Sequence, residues 1–332
     1  MEHLIEVEGL YKHFPVKTFW GRKKGSVKAV DGVSFYIDKG KTVGLVGESG
    51  CGKSTLGKTI IRMNDVTAGR ILFNGEDISK VKGRKLKEIH SKMQIIFQDP
   101  YSSLDPHMTV KDIIAEPLRV YRKLSEEEIV REVSDLLEQV GLRADDMKKY
   151  AYEFSGGQRQ RIGIARAISV KPEFILCDEP ISALDVSIQA QVVNLLKELQ
   201  EKYKLTYLFV AHDLTMVHHI ADVIAVMYLG KIVEIGSSDD VYFNPKHPYT
   251  QALMKAVPKI EKDKVLDLNR DILEGDLPSP LDTQKGCSFC GRCPYAEEIC
   301  KVNVPELKDD GTGHRTACFM HKKMQKNEIK FA

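Results

Sequence analysis

Apolar and polar residues alternate along the amino-terminal part of the chain. Between residues 4 and 37 the alternation has a period of two, which is typical of half-buried antiparallel strands, and the basic stretch WGRKKG interrupts it as an exposed insertion. Two short apolar runs follow, TVGLV before a glycine-rich turn and EFILC before two acidic residues. Because both runs are short and bounded by turns, they predict buried strands.

A helical pattern occupies the middle of the chain, from about residue 98 to 171. Within EEEIVREVSDLLEQVGL, apolar residues recur at the spacing of one helix face: Ile129, Val133, Leu136, Leu137 and Val140. A later helix carries a similar set: Ile162, Ile164, Ala165 and Ile168. These stripes predict packing surfaces rather than ligand contacts.

The composition argues against several classes of protein. With 49 basic and 47 acidic residues, the 332-residue chain has almost no net charge to attract nucleic acid or an anionic membrane. Its longest apolar stretches, LTYLFVA and VIAVMYL, are far shorter than the ~20 residues that cross a bilayer. Since the acidic start MEHLIEVEGL is unlike a signal peptide, we expect an intracellular protein with reduced thiols.

The glycine-rich turn has the pattern of a phosphate-binding loop between a strand and a helix. Its glycines let the backbone turn N–H groups toward an anion, and the new helix adds its positive dipole end. Lys53 then reaches the β and γ phosphates, and the Ser54 hydroxyl is a ligand for Mg²⁺. The phosphate loop, residues 47–55, thus contributes these predicted nucleotide contacts: Gly47, Glu48, Ser49, Gly50, Cys51, Gly52, Lys53, Ser54 and Thr55. Cys51 is interpreted as a small filler residue without redox chemistry.

Two adjacent carboxylates end the second apolar run, in EFILCDEP. At the carboxyl end of a parallel strand both side chains can face the crevice where ligands bind. Asp178 is predicted to bind Mg²⁺, directly or through water, and Glu179 to polarise the water that attacks the γ-phosphate.

A second possible anion site lies at EFSGGQRQRIGIARAI, where Ser155, Gly156 and Gly157 open another helix. Exposed N–H groups, a hydroxyl and no bulky side chain make this helix start accessible to a phosphate. One nucleotide hardly needs two such sites in one chain. We therefore expect the second site to serve a nucleotide held by another chain.

These motifs together resemble the nucleotide-binding subunit of an ATP-binding cassette (ABC) transporter. The family signature LSGGQ is matched by residues 154–158, ending in Gln158, and departs only at its first position, Phe154. The resemblance implies that Gln98 in IIFQDP contacts Mg²⁺ and the nucleotide, that Asp185 in SALD belongs to the loop after the acidic strand, and that the imidazole of His212 bonds the γ-phosphate.

The aromatic residue that stacks on adenine is the least defined part of the predicted site. Phe14 aligns best with the family position. Tyr11 is a close competitor, and Phe19 or Trp20 in the basic insertion are further candidates.

The resemblance covers about residues 4–256 and implies an α/β fold with a P-loop NTPase (RecA-like) core. It divides the chain into the core with its antiparallel β subdomain (1–97 and 172–256), a helical signature subdomain (98–171) and an extension (257–332). It also implies a head-to-tail dimer with two ATP molecules between opposed chains. The pore is then a separate polypeptide.

Five of the seven cysteines lie in the extension. CSFCGRC has the spacing of iron–sulfur ligands, but its overlapping pairs also suit tetrahedral Zn²⁺, and disulfides would leave one cysteine unpaired. The extension resembles that of the oligopeptide/dipeptide branch of ABC importers, in which G-C-x-F-x-x-R-C-P and two later cysteines hold a [4Fe–4S] cluster. The ligands implied are Cys287, Cys293, Cys300 and Cys318, whereas Cys290 stands where the family usually has another residue.

The resemblance implies an ATPase subunit that powers dipeptide or oligopeptide import from the cytoplasmic face of the membrane. Its expected partners are two permease subunits, a homologous second ATPase and, indirectly, a substrate-binding protein, with no nucleic acid. Import of nickel or another small solute is an alternative. A soluble ABC ATPase acting on nucleic acid is a second one, although the chain has neither a long coiled coil nor two cassettes.

Overall fold

Two β-sheets and the helices around them make up the computed structural model, which describes residues 3–17, 23–256 and 285–320. The strands are β1 (His3–Lys17), β2 (Lys23–Asp38), β3 (Thr42–Val46), β4 (Ala68–Phe73), β5 (Glu76–Asp77), β6 (Met93–Ile96), β7 (Phe174–Asp178), β8 (Thr206–Ala211), β9 (Val223–Tyr228), β10 (Lys231–Ser237), β11 (Lys308–Asp309) and β12 (Arg315–Thr316). Phe19 and Trp20 lie outside the described residues, as do parts of the predicted extension.

The helices connect these strands or cover the sheets. They are α1 (Lys53–Ile60), α2 (Gly83–Lys92), α3 (Val110–Tyr121), α4 (Glu126–Gln139), α5 (Gly156–Ile168), α6 (Val186–Tyr203), α7 (Leu214–Ile220), α8 (Ser238–Phe243), α9 (Pro248–Ala256) and α10 (Glu298–Val302). Within the three described stretches, no helix combines the length and the apolar character that a membrane span requires.

The smaller sheet is antiparallel, with strand order β2-β1-β4-β5. Along β2 the side chains of Val33, Phe35 and Ile37 are buried, whereas Ser34 and Tyr36 between them are exposed. This period of two confirms the predicted half-buried strands. The buried face packs into one core with α1 and one side of the larger sheet.

The larger sheet has strand order β11-β12-β10-β9-β3-β8-β7-β6, and the strands from β9 to β6 run parallel. Every residue of β3, β7 and β8 is buried, as expected for strands covered on both faces. The carboxyl ends of these strands lead directly to Gly47, Glu179 and His212. Because these strands are parallel neighbours, their carboxyl ends bring the three predicted motifs to one edge of the sheet.

Helices α3, α4 and α5 pack together between β6 and β7 in the chain. The apolar stripes predicted on α4 and α5 are buried, which confirms their interpretation as packing surfaces. A reciprocal capping box starts α4: the Ser125 hydroxyl accepts from the Glu128 N–H, and the Glu128 carboxylate accepts from the Ser125 N–H. The predicted domain boundaries themselves stay a prediction.

Residues 285–320, here called the Cys-rich segment, are attached to the core sheet. Strand β12 pairs antiparallel with β10, aligning Thr316 with Glu234. Phe289 is 1% exposed and lies with its ring centroid 5.2 Å from that of Tyr228 and 5.5 Å from that of Tyr249. The segment thus extends the larger sheet and inserts an aromatic side chain into its core.

A buried carboxylate fixes this attachment. Glu234 on β10 is fully buried and accepts hydrogen bonds from the N–H groups of Lys246 and His247, at 2.7 and 2.9 Å. His314 Nε2 of the Cys-rich segment lies 2.7 Å from its Oε1. Since a buried charge is costly without partners, this set of contacts explains how Glu234 is tolerated.

Replacing Glu234 is expected to destabilise the fold strongly. The change Glu234→Ala leaves two N–H groups and the His314 ring without their acceptor, which costs roughly 3–5 kcal/mol by analogy with broken buried pairs. Thermal and urea unfolding of the purified protein measure the loss. Glu198→Ala on the exposed face of α6 serves as control; equal unfolding midpoints for both variants would show that the buried carboxylate is dispensable.

Candidate active site

The phosphate loop packs closely against neighbouring strands. Gly52 has φ of 110°, and a Cβ atom there would lie 2.0 Å from the carbonyl oxygen of Ala29. A Cβ at Gly47 would lie 2.2 Å from the carbonyl oxygen of Met227. A side chain at either position would force the loop outward, so these two glycines are required by close packing as well as by conformation.

Lys53 begins α1 and is almost completely buried. Its Nζ donates to the carbonyl oxygens of Gly47 and Glu48, at 2.7 and 3.0 Å, so the ammonium lies inside the loop. Ser54 and Thr55 follow in the first turn of α1 and line the same cavity. A buried cation at a helix start favours an anionic ligand at this position.

A cavity of about 510 Å³ opens in front of the loop, within the usual size range of ligand sites. The predicted site residues that line it are Phe14, Ser49, Gly50, Cys51, Gly52, Lys53, Ser54, Thr55, Gln98 and Glu179. Cys51 is buried, its burial raises the pKa of its thiol, and its Sγ fills space beside Gly47. These contacts support the interpretation of Cys51 as a filler residue.

Asp178, at the end of β7, is 2% exposed. Lys58 Nζ of α1 lies 2.9 Å from its Oδ2, while Oδ1 is buried and has no hydrogen-bond partner among the described residues. A buried carboxylate oxygen without a donor fits a cation ligand. Asp178, Ser54 and Gln98 supply oxygen atoms that suit Mg²⁺, which would neutralise phosphate charge when bound.

Glu179 has φ of 48°, in the left-handed region that is unusual for a non-glycine residue. Its N–H donates to the carbonyl oxygen of Val210 at 3.0 Å, which holds this turn on β8. Gln98 Nε2 donates to Glu179 Oε2 at 2.7 Å. The strained turn therefore places the carboxylate in contact with a second motif residue.

A second cavity adjoins the first and contains the predicted switch histidine. Its lining is formed by Ser49, Gln98, Asp99, Glu179, Ser182, Ala183 and His212. Both cavities share Ser49, Gln98 and Glu179, so the phosphate loop, the acidic strand end and His212 face one continuous space. The residue roles predicted for this space stay predictions.

The SGGQ residues lie outside both cavities. Ser155 caps α5: its hydroxyl accepts from the Gln158 N–H at 3.4 Å, and its N–H donates to Gln158 Oε1 at 3.0 Å. Gly156 and Gly157 form the first turn of that helix. Asp185 precedes α6 and makes no capping hydrogen bond with its side chain. Within one chain, these residues do not meet the phosphate loop.

The structure distinguishes between two aromatic candidates for the adenine contact. Phe14 is 39% exposed and lines the cavity of the phosphate loop, with Lys12 Nζ 4.8 Å from its ring centroid. Tyr11 lines an adjoining cavity, which shares Asp31 and Lys231 with the first, but it does not line the cavity of the phosphate loop. Its position therefore favours Phe14, as predicted from alignment.

The five cysteines of the Cys-rich segment converge on one small cavity of about 10 Å³. They are Cys287, Cys290, Cys293, Cys300 and Cys318. The donor chemistry suits a thiophilic metal, but the volume holds roughly one water-sized atom. Over residues 3–17, 23–256 and 285–320, no group of three or more His, Cys, Asp or Glu side chains has the geometry of a metal site.

Burial also affects the acidity of these thiols. Burial raises the pKa of the Cys293 thiol to about 12, and it also raises the pKa of Cys287. Metal ligation would require these thiols to lose their protons. The predicted small metal-binding domain is therefore not confirmed, and neither is the [4Fe–4S] cluster.

Three residues around the phosphate loop were missed by sequence reasoning. Lys58 bonds Asp178, the Tyr249 hydroxyl accepts the Glu48 N–H at 2.8 Å, and Arg292 pairs with the Glu48 carboxylate. Lys58 lies on the predicted helix, but a single lysine there was only weak evidence of a contact with the acidic strand end. Tyr249 and Arg292 lie far along the chain, and although Arg292 belongs to the cysteine motif, no local pattern indicated that either residue contacts the phosphate loop.

Comparison with known proteins places these features in a family. Residues 30–182 match the ABC transporter family, and residues 233–300 match the oligopeptide/dipeptide transporter C-terminal region. The oligopeptide transport ATP-binding protein AppF of Bacillus subtilis (strain 168) is 50% identical, covering 96% of this chain and 98% of its own. The chain belongs to the ABC transporter ATP-binding proteins. Its relative OppF of Salmonella typhimurium is 48% identical over 95% of each chain.

Solved ABC cassettes share the fold. The cassette cbiO1 of Clostridium perfringens, part of the ABC transporter complex cbiONQ, has a TM-score of 0.62 at 27% identity, covering 74% of this chain and 92% of its own. The cassette MJ0796, dimeric and bound to ADP and phosphate after hydrolysis, has a TM-score of 0.64 at 26% identity, covering 70% and 98%. The predicted ABC ATPase core is confirmed, and the chain is an ATPase. Membership in this family implies dimerisation and a membrane partner.

Neutralising Glu179 is expected to stop hydrolysis by this ABC ATPase while leaving nucleotide binding intact. The change Glu179→Gln removes the base but keeps an oxygen that can accept from Gln98, so the rate should fall roughly 10²–10⁴-fold. Phosphate release measures turnover, and calorimetry measures ATP affinity. Glu173→Gln, at the opposite end of β7, is the matched control; a Glu179→Gln protein that retains most of its rate would contradict the assignment.

Proposed function

We propose that this ATPase energises the import of dipeptides or oligopeptides through a separate membrane permease, from the cytoplasmic face. The observation that carries the proposal is the transporter C-terminal region, residues 233–300, because its strand β10 pairs with β9 of the core sheet and its Arg292 pairs with Glu48 of the phosphate loop. The relatives AppF and OppF are oligopeptide transport proteins by name. Their similarity extends over both the cassette and this region.

The assembly we infer contains two permease subunits, this chain and a homologous second ATPase, served by a substrate-binding protein. Two features support a nucleotide shared between opposed ATPase chains. Ser155 and the start of α5 lie outside the cavity of their own phosphate loop, although they have the chemistry of an anion site. The ATP-side residues Lys53, Glu179 and His212 face open cavities that a second chain can close. ATP binding would then draw the chains together, and hydrolysis would release them.

Purification of the native complex tests this proposal directly. The tagged chain should retain two permease subunits and a second ATPase, and proteoliposomes of the complex with its binding protein should accumulate labelled peptide when ATP is present. The Glu179→Gln complex is the control and should accumulate none. Uptake of nickel without peptide, or stimulation by nucleic acid with no permease bound, would overturn the proposed substrate.

We further propose that the Cys-rich segment holds a thiolate metal centre with a structural role. The family resemblance favours a [4Fe–4S] cluster on Cys287, Cys293, Cys300 and Cys318, with Zn²⁺ as the alternative. The convergence of the thiols supports a metal, whereas their small cavity accommodates a single ion more readily than four irons.

Serine substitution identifies the ligands. Each of Cys287→Ser, Cys293→Ser, Cys300→Ser and Cys318→Ser should lose bound metal and lower the unfolding temperature, because one thiolate ligand is removed. Iron, acid-labile sulfide and zinc are assayed in protein purified without air. Cys290→Ser is the matched control in the same cavity and should keep its metal. Loss of metal from this variant alone would overturn the ligand set.

A further inference from the structure

One ion pair connects the Cys-rich segment to the phosphate loop. Arg292 Nη1 donates to Glu48 Oε2 at 2.7 Å, and Nη2 donates to Glu48 Oε1 at 3.0 Å. The side chains are 7% and 24% exposed, respectively. A two-point contact of this kind fixes orientation as well as distance, and its partial burial shields it from salt.

Glu48 is a central contact within the loop. Its carbonyl oxygen accepts from Lys53 Nζ, its N–H donates to the Tyr249 hydroxyl, and its carboxylate pairs with Arg292. Tyr249 lies on α9, and both Tyr249 and Arg292 fall within the matched oligopeptide/dipeptide transporter region. Two anchors of the loop therefore come from the matched oligopeptide/dipeptide transporter region.

Arg292 is itself held in place by its surroundings. It ends the short 3₁₀ turn Cys290–Arg292, and its N–H donates to the carbonyl oxygen of Phe289 at 3.0 Å. Phe289 is buried against Tyr228 and Tyr249, and the Tyr228 hydroxyl lies 3.5 Å from Arg292 Nη1. The guanidinium thus extends from a fixed turn between two cysteines.

The same segment forms part of the wall of the nucleotide cavity. Gly286, Ser288 and Val304 line the 510 Å³ cavity together with the phosphate loop and Phe14. Arg292 is therefore one of several contacts between this segment and the ATP site, and it is the one that reaches the loop itself.

The ion pair between Arg292 and Glu48 changes the charge that a bound nucleotide meets. The loop must bind an anionic triphosphate, and an unpaired carboxylate within the loop would repel it. Arg292 neutralises the Glu48 carboxylate and turns it toward the Cys-rich segment. The lysine of the loop can then serve the phosphates rather than a neighbouring carboxylate.

We propose that Arg292 is a positioning residue for ATP: it restrains and neutralises Glu48, so that the Cys-rich segment sets the nucleotide affinity of the phosphate loop. This inference rests on the ATPase activity of the chain. It is independent of the transported solute.

A double substitution separates this role from simple stabilisation. In the full-length protein, Arg292→Gln leaves Glu48 as an uncompensated anion, so KM for ATP and Kd for ADP should rise about tenfold, with kcat little changed. Glu48→Gln alone gives the reference KM of a phosphate loop that lacks this carboxylate. The double variant Glu48→Gln/Arg292→Gln should recover most of the affinity, because the repelling charge is gone.

A second ion pair provides the matched control. Lys246 and Asp310 also connect the core to the Cys-rich segment, away from the loop. Lys246→Gln should therefore leave KM and Kd unchanged, even where it lowers the unfolding temperature. A KM that rises equally in this variant would show that loosening the segment is sufficient, and the positioning role would be overturned.

Two results would overturn the proposal at Arg292 itself. One is an unchanged KM for ATP in Arg292→Gln, and the other is a double variant whose KM is as high as that of Arg292→Gln alone. Should Arg292→Gln fail to fold, Arg292→Lys replaces it, since lysine keeps the charge but loses the two-point contact. We then expect KM for ATP to rise less than in Arg292→Gln, and we expect a second substitution, Glu48→Gln, to reverse that rise. An Arg292→Lys protein with an unchanged KM would reject the proposal. Peptide uptake by the wild-type complex is measured separately, so a negative result here leaves the proposed function standing.

Discussion

Burial of the parallel strands on both faces is the constraint from which the site follows. Because β3, β7 and β8 have no solvent-exposed face, polar chemistry can be placed only where the strands end. Their carboxyl ends lie side by side, and each leads into a motif: the phosphate loop, the acidic pair and His212. The register of the sheet, rather than any local sequence, brings a lysine, a carboxylate and an imidazole around one space.

The transporter C-terminal region takes part in this arrangement. Glu234 binds the start of α9 and the Cys-rich segment through one buried carboxylate, and Glu48 is held by Tyr249 and Arg292 from the same region. Buried polar contacts of this kind are costly when only partly made, which favours a single arrangement of the chain. These contacts join the cassette and its extension through buried polar groups.

Much of the nucleotide site could be predicted from sequence because its motifs are local. The spacing of Gly47, Lys53 and Ser54 specifies a strand, a turn and a helix, and the period of two in β2 identifies its buried face. The stripe on α4 is equally local. Each of these patterns depends on neighbours a few residues apart, which the sequence displays directly.

The remaining features depend on residues that meet only after folding. Nothing near Arg292 indicates Glu48 as its partner, and Thr316 carries no sign that β12 will join β10. Sequence alone ranked Phe14 before Tyr11, but only the folded chain shows that Phe14 lines the cavity of the phosphate loop and Tyr11 does not. The cysteine spacing predicted a metal centre, which is not confirmed: the five thiols line one cavity, but spacing alone does not specify the distances that a metal requires.

A structure of the complete transporter carrying Glu179→Gln and loaded with ATP and Mg²⁺ tests the shared nucleotide site most directly. Lys53 should bind the γ-phosphate of one ATP, while Ser155 lies within about 3.2 Å of the γ-phosphate bound by the opposed ATPase chain. A structure in which ATP occupies both phosphate loops and Ser155 contacts neither nucleotide would contradict it.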